Sequence, residues 1–377
     1  MSLQHRIRGR RHWLALIALF AAIGAPGPST VNGSTATDDG YLFNDAHFHL
    51  TNYIQKGITV QDYLAIMGDK IGRSALFGIP LQQTWSYENS GDFAPTYYLQ
   101  SDAPLYYYSF TDAIIAKEYL SLPPAERRRF DPMITGFNPA DMYGVDHIRR
   151  VLEMYPGVFT GIGEFTIHKE FVSGEVAGAK ATLGNPALDR ILDFAGQVGL
   201  VALIHCDIDT PVESPGPDPI YLKQMRNLLK RHPKTVIIWA HTGLGRVVQP
   251  SGAQITSAPE RNQTHIEILA NLLEDPALKN VYFDISWDEV AKYAVSSPEI
   301  QRQVSALFNR FPDRFLFGTD VVAPRSQAAD LRVFQLWGPV FAQLSPEASL
   351  KIRKTNYEHL FDAARTRVRA WERSHVQ

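Results

Sequence analysis

The sequence predicts an α/β fold, a closed (β/α)8 TIM barrel, on three observations. Eight short apolar segments alternate with longer amphipathic ones between Leu42 and Asp320. Several of them, such as LVALIHCD (200–207) and TVIIWAH (235–241), are almost continuously apolar, as strands covered on both faces are. Metal-capable side chains recur at the ends of these segments, and strand ends are where a barrel builds its functional face. A doubly wound open sheet is the alternative. No Gly-rich phosphate loop follows the first strand to favour it.

The first strand is read over Leu42–Leu50 (LFNDAHFHL). Strand alternation would turn His47 and His49 to one face and Phe48 to the other. A second strand is read over Arg73–Leu81. An aromatic-rich insertion, Gln82–Asp131, follows it, with Trp85, Tyr87, Phe93, Tyr97, Tyr98, Tyr106, Tyr107, Tyr108 and Phe110. A loop of that length is functional or an element in its own right. A lid and a dimer contact both fit it, and helices are expected inside it at Asp112–Leu120 and Pro123–Phe130.

Strands three to eight are read over Met133–Pro139, Phe159–Ile167, Leu200–Asp207, Thr235–His241, Val281–Trp287 and Arg314–Asp320. The helices between them carry their own punctuation. Asn185-Pro186 is a cap followed by proline at the first helical position, and Gly199 closes that helix. Ser297-Pro298 and Ser345-Pro346 repeat the start signal. Further helices are expected at Asp146–Tyr155, Tyr221–Arg231, Thr264–Leu273 and Tyr357–Trp371.

The N-terminus reads as an export signal over residues 1–36, ahead of a barrel domain over 41–369. Arg6, Arg8, Arg10 and Arg11 precede an apolar run, Trp13–Ile23, and then a small, polar stretch, Gly24–Ala36. The run is short for a membrane span, which needs roughly 20 residues, and an uncleaved anchor is the alternative. Arg10-Arg11 also resembles a twin-arginine signal. A periplasmic or secreted protein is expected, with no other membrane association.

The 377 residues are 45% hydrophobic and carry a net charge of −2, so nothing points to a nucleic-acid partner. The one cysteine, Cys206, allows no internal disulfide and is read as a small buried hydrophobe. A small-molecule substrate is expected, and a homo-oligomer is left open.

Six metal-capable residues fall at strand ends: His47 and His49 on the first strand, Glu164 on the fourth, His205 on the fifth, His241 on the sixth and Asp320 on the eighth. A lone strand-end histidine is an ordinary hydrogen-bonding residue, but six such side chains at one rim are a site. A catalytic zinc takes three protein ligands and a water. Six candidates therefore imply one ion with other residues behind it, or two ions sharing Glu164. His168, Lys169, Arg246 and Arg325 follow strands four, six and eight, and are candidate substrate contacts. Capping and surface ion pairing are the bland readings of these four.

The strings NDAHFHL, GIGEF, WAHTG, LFGTDV and TNYEHLF resemble the amidohydrolase superfamily, and most closely the amidohydrolase-related group that also contains decarboxylases. GIGE is similar also to the TatD-type nucleases. The resemblance spans most of Tyr41–Arg369. It implies a divalent metal, zinc being the first expectation, with one or two ions per chain and the one-ion arrangement preferred. His47, His49, His205 and Asp320 would be ligands of the first site. His241 would be a second-site ligand or a polarising catalytic group. The carboxylated lysine that many members carry on strand four is here Glu164. The implied activity is hydrolysis of an amide, lactone or other ester bond, with Asp320 as general base. A metal-dependent decarboxylase of an aromatic or unsaturated acid is the alternative, and a non-catalytic exported binding protein a third reading.

Overall fold

The computed structural model describes residues 40–209, 218–246 and 263–376. The expected export signal lies outside the described residues, as do parts of the loops after the fifth and sixth strands.

Eight parallel strands form one sheet in sequential order. They are β1 (Phe43–Asp45), β2 (Ile71–Leu76), β3 (Phe130–Ile134), β4 (Gly161–His168), β5 (Val201–Cys206), β6 (Ile237–Trp239), β7 (Val281–Asp284) and β8 (Phe315–Leu316). The two ends of the sheet meet just beyond β1 and β8. The Ala46 amide donates to the Phe317 carbonyl at 3.0 Å and the Asp320 amide to the His47 carbonyl at 2.7 Å. Phe48–His49 then pair in parallel with Val321–Val322. The result is the (β/α)8 barrel expected from the alternation of segments.

Each strand is shorter than its apolar segment suggests. β1, β6 and β8 end shortly before His47, His241 and Asp320, whereas β4 and β5 carry Glu164 and His205 within the strand. The first strand is the clearest case. It stops at Asp45, and Phe48–His49 form a separate two-residue strand, so no single run of alternation orients both histidines. Asp45 makes the break. Its carboxylate accepts from the His47 amide at 3.0 Å, the Thr319 amide at 2.9 Å and the Thr319 hydroxyl at 2.6 Å, which ties the end of β1 to the end of β8.

The helices follow their signals closely. Asn185 caps Pro186–Val198 through its side chain, and Gly199 ends that helix in the left-handed conformation. Ser297 and Ser345 cap Pro298–Arg310 and Pro346–Leu350. Thr264 and Glu267 form a capping box on His265–Glu274. The last helix runs over Asn356–His375 and packs beneath the barrel.

The expected insertion ends sooner than residue 131, since the helix there covers only Pro124–Arg127 and Phe130–Asp131 already belong to β3; what precedes them divides in two. Thr111–Ser121 is a helix packed on β3, the ordinary crossover between β2 and β3. Ahead of it, Leu81–Gln83 and Leu105–Tyr107 pair antiparallel. Tyr98, Leu81 and Leu105 form a small apolar cluster with Tyr53, from the loop after β1, and with Val172 and Val176, from the loop after β4. This hairpin region therefore sits against the loops at the C-terminal face of the barrel. Trp85, Tyr87, Phe93 and Phe110 remain exposed on it.

Two glycines bring the chain close enough for a site. Gly163, in GIGE, has φ +119°, and a Cβ there would lie 2.2 Å from the Leu203 carbonyl oxygen. A Cβ on Gly318 would lie 2.9 Å from that of His47.

Candidate metal centre

At the C-terminal face, His47, His49, Glu164 and Asp320 converge on one buried point. The Nε2 atoms of His47 and His49 lie 3.3 Å apart. Asp320 Oδ1 is 3.4 Å from the first and 3.1 Å from the second. Glu164 Oε2 is 3.7 Å and 3.4 Å from the same two atoms. Ligand atoms about 2.1 Å from a tetrahedral ion lie about 3.4 Å from one another. Both carboxylates stand at about that distance from the two imidazoles, and His47, His49 and Glu164 together could hold an ion.

The other oxygen of Glu164 faces a second group. His241 Nε2 lies 3.4 Å from Oε1, the Lys169 ammonium 3.7 Å, and His205 Nδ1 is in hydrogen-bond contact. His205 thus lies across Glu164 from His47 and His49, not beside them. Its other nitrogen, Nε2, meets Asp207 Oδ1 at 3.1 Å. Burial and Lys169 pull the His205 pKa down, but the carboxylates at both nitrogens raise it to about 9.

The hydrogen bonds around the cluster fix where protons sit. His47 Nδ1 lies 2.9 Å from Asp284 Oδ2. A carboxylate only accepts, so Nδ1 carries the proton and Nε2 presents a lone pair. The Ser286 hydroxyl donates to Asp284 Oδ1, and so accepts from His241 Nδ1 at 3.0 Å. His241 Nε2 then also presents a lone pair, and it has no hydrogen-bond partner among the described residues. Two imidazole lone pairs therefore point at two carboxylates across gaps of 3.4–3.9 Å. Such an arrangement repels itself unless positive charge stands between.

Protons or a cation can supply that charge. Burial disfavours a charged His47, yet Asp284 and Asp320 hold its pKa well above the ordinary value. Burial would raise the Glu164 carboxyl, but Lys169 and His205 hold it well below the usual range. Asp320 is likewise held down, against burial, by His47 and His49. The charge, spacing and donor types all fit a divalent ion.

The backbone is bent to make this point. His241 (φ 55°), Trp287 (φ 78°) and Asp320 (φ 53°) all adopt left-handed conformations without being glycine. Each costs on the order of 1–3 kcal/mol, and such residues persist only where their surroundings hold them. The His241 amide donates to Asp284 Oδ1 at 2.9 Å, and the Asp320 amide is held by the His47 carbonyl.

The four candidate substrate contacts separate. Lys169 reaches the cluster. Arg246 stands at its mouth, with Nη2 3.1 Å and 2.9 Å from the Tyr97 and Tyr98 hydroxyls. His168 turns away and stacks on Tyr221 at 3.7 Å, and burial lowers its pKa to about 4. Arg325 is exposed, and Arg332 lines the cavity in its place. Four contributors escape the sequence reading: Asp284, Ser286, Trp287 and the Tyr97–Tyr98 pair. Alternation in VYFDISW does put Asp284 and Ser286 on one face, and that was the available signal.

The family model for the amidohydrolases matches residues 45–362. The chain belongs to the amidohydrolase family. It is accordingly an enzyme of a metal-dependent kind, and the described residues include His, Glu and Asp groups that could hold a metal ion. No curated protein matches the chain. Among solved structures it is similar to a protein from Pseudomonas putida assigned as a 2-pyrone-4,6-dicarboxylic acid hydrolase, at 13% identity over 85% of this chain and 98% of that one, with a TM-score of 0.49. It is similar to a dihydroorotase from Campylobacter jejuni, at 12% identity over 85% and 83%, TM-score 0.46. It is also similar to a 2,6-dihydroxybenzoate decarboxylase, at 14% identity over 86% and 98%, TM-score 0.45.

Proposed function

We propose that this amidohydrolase hydrolyses an amide, lactone or other ester bond of a small molecule. The observation that carries the proposal is the approach of Glu164 Oε2 and Asp320 Oδ1 to within 3.1–3.7 Å of the paired Nε2 atoms of His47 and His49. These four would hold one divalent ion, zinc being the first candidate for a nitrogen and oxygen donor set. When bound, such an ion lowers the pKa of a water and polarises the bond attacked.

The chain supplies the rest. Asp320 turns Oδ1 to the histidines and keeps Oδ2 toward His241, so Oδ2 is the oxygen that takes a proton from water and returns it to the leaving group. His241, whose pKa burial lowers, stays neutral and is aimed into the same gap, where it orients the reacting group. Asp284 and Ser286 keep both His47 and His241 in the required tautomer. The arginine-rich start followed by the apolar run Trp13–Ile23 supports export.

Metal content per chain, measured without chelator, tests the centre. One equivalent supports the four-donor set. Two would add an ion between Glu164, His205 and His241. None after supplementation removes the reading. Hydrolysis is then separated from decarboxylation by running turnover in deuterated solvent. Deuterium on a product carbon, with CO2 released, would replace hydrolysis with decarboxylation.

A further inference from the structure

A cavity of about 360 Å³ adjoins the candidate metal centre, and Asp320 belongs to both. Tyr97, Arg246, Trp287, Asp288 and Arg332 also line it. Asp288 and Arg332 pair with each other at 3.0 Å on the outer lip. The inner wall is different.

Arg246, from the loop after β6, is held there by an element outside the barrel. Its Nη2 donates to the hydroxyls of Tyr97 and Tyr98, from the hairpin region before Thr111. Its guanidinium lies 5.0 Å from the centre of the Trp287 ring. The same indole lies 5.1 Å from the His241 imidazole. Trp287 thus bridges the guanidinium and the metal centre. Lys169, from the loop after β4, stands at the metal centre itself, with its ammonium 3.7 Å from Glu164 Oε1. Glu170 offsets part of this charge. Its Oε1 is 3.3 Å from Arg246 Nε, but Nε and both Glu170 oxygens lack a hydrogen-bond partner among the described residues.

We propose that Arg246 forms a subsite for a carboxylate of the substrate, with Tyr97 and Tyr98 as its positioning residues. Nη2 is committed to the two phenols, so Nη1 is the group that donates charge-assisted hydrogen bonds to a carboxylate, and stacking on an indole holds the guanidinium plane ready. The flat face of Trp287 lies between this subsite and the ligand cluster, so the favoured substrate carries an unsaturated or aromatic group there. This rests on the metal-centre reading above, but not on which bond is cleaved.

The test is calorimetric titration of the full, metal-loaded chain with benzoate, phthalate and isophthalate, with dimethyl phthalate as the uncharged control. At least one carboxylate is expected to bind, and the diester is not. Arg246→Gln is expected to weaken binding about tenfold or more, Arg246→Lys less, and Tyr98→Phe several-fold, all with unchanged metal content. Failure of every carboxylate to bind, equal binding of the diester, or binding that survives Arg246→Gln would overturn the proposal. A chain that takes no metal yet binds carboxylate through Arg246 keeps the subsite and discards the metal reading instead.

Discussion

Asp284 does more for the candidate centre than any residue except the donors themselves. One carboxylate accepts hydrogen bonds from His47 Nδ1 at 2.9 Å, from the His241 amide at 2.9 Å and from the Ser286 hydroxyl. It is wholly buried, and burial alone would raise its pKa, but His47 holds it low. Asp284→Asn keeps the shape, but its amide can present N–H where His47 needs an acceptor. We expect metal affinity to fall roughly 10–100-fold, as for loss of a partner behind a ligating histidine. Competition with a colorimetric chelator reads this directly, and unchanged affinity would mean that His47 is not a ligand. The same tautomer logic sets a pH direction. An ion must displace the protons that His47 takes up in its absence, so affinity should fall as pH falls.

At the scale of the element, the short helix Gln327–Asp330 holds an unusual group. Asp330 is fully buried, and neither carboxylate oxygen has a hydrogen-bond partner among the described residues. Burial, reinforced by Asp45, raises its pKa to about 8. The folded chain therefore keeps this proton while the unfolded chain loses it above the ordinary carboxyl value. Between about pH 4 and pH 8 the unfolded state binds fewer protons, so this group lowers stability as pH rises, by up to about 1.4 kcal/mol per pH unit. Asp330→Asn should remove that slope. Urea unfolding at pH 5 and pH 8 checks it: the variant's advantage should grow with pH, and a constant difference would refute the assignment.

At the scale of the molecule, the barrel is fastened at the end opposite the site. Asp131 on β3 is fully buried and meets Arg73 from β2 at 2.8 Å, and Arg365 at 2.6 Å and the Tyr357 hydroxyl at 2.8 Å from the last helix. Asp131→Asn would leave two guanidinium groups against an uncharged partner. Breaking a buried pair of this kind costs about 3–5 kcal/mol. We expect a lower urea midpoint with metal content per folded chain unchanged, because the fastening and the candidate centre sit at opposite barrel ends. Loss of metal from the folded variant would show that the two ends are coupled.

The sequence by itself determined the barrel, the order of its strands, the helix caps and the six metal-capable residues. Each of these is written locally, as apolar runs between start and stop signals, or as a side chain at a strand end. Tertiary structure alone decided how those six divide. Glu164 joins His47, His49 and Asp320 through one oxygen and meets His205 and His241 through the other, because which way a side chain turns depends on neighbours distant in the chain. It also decided that His168 stacks on Tyr221 while Lys169, one residue on, reaches Glu164. Tyr97 and Tyr98 meet Arg246 across about half the barrel's chain length, a contact that no local pattern encodes.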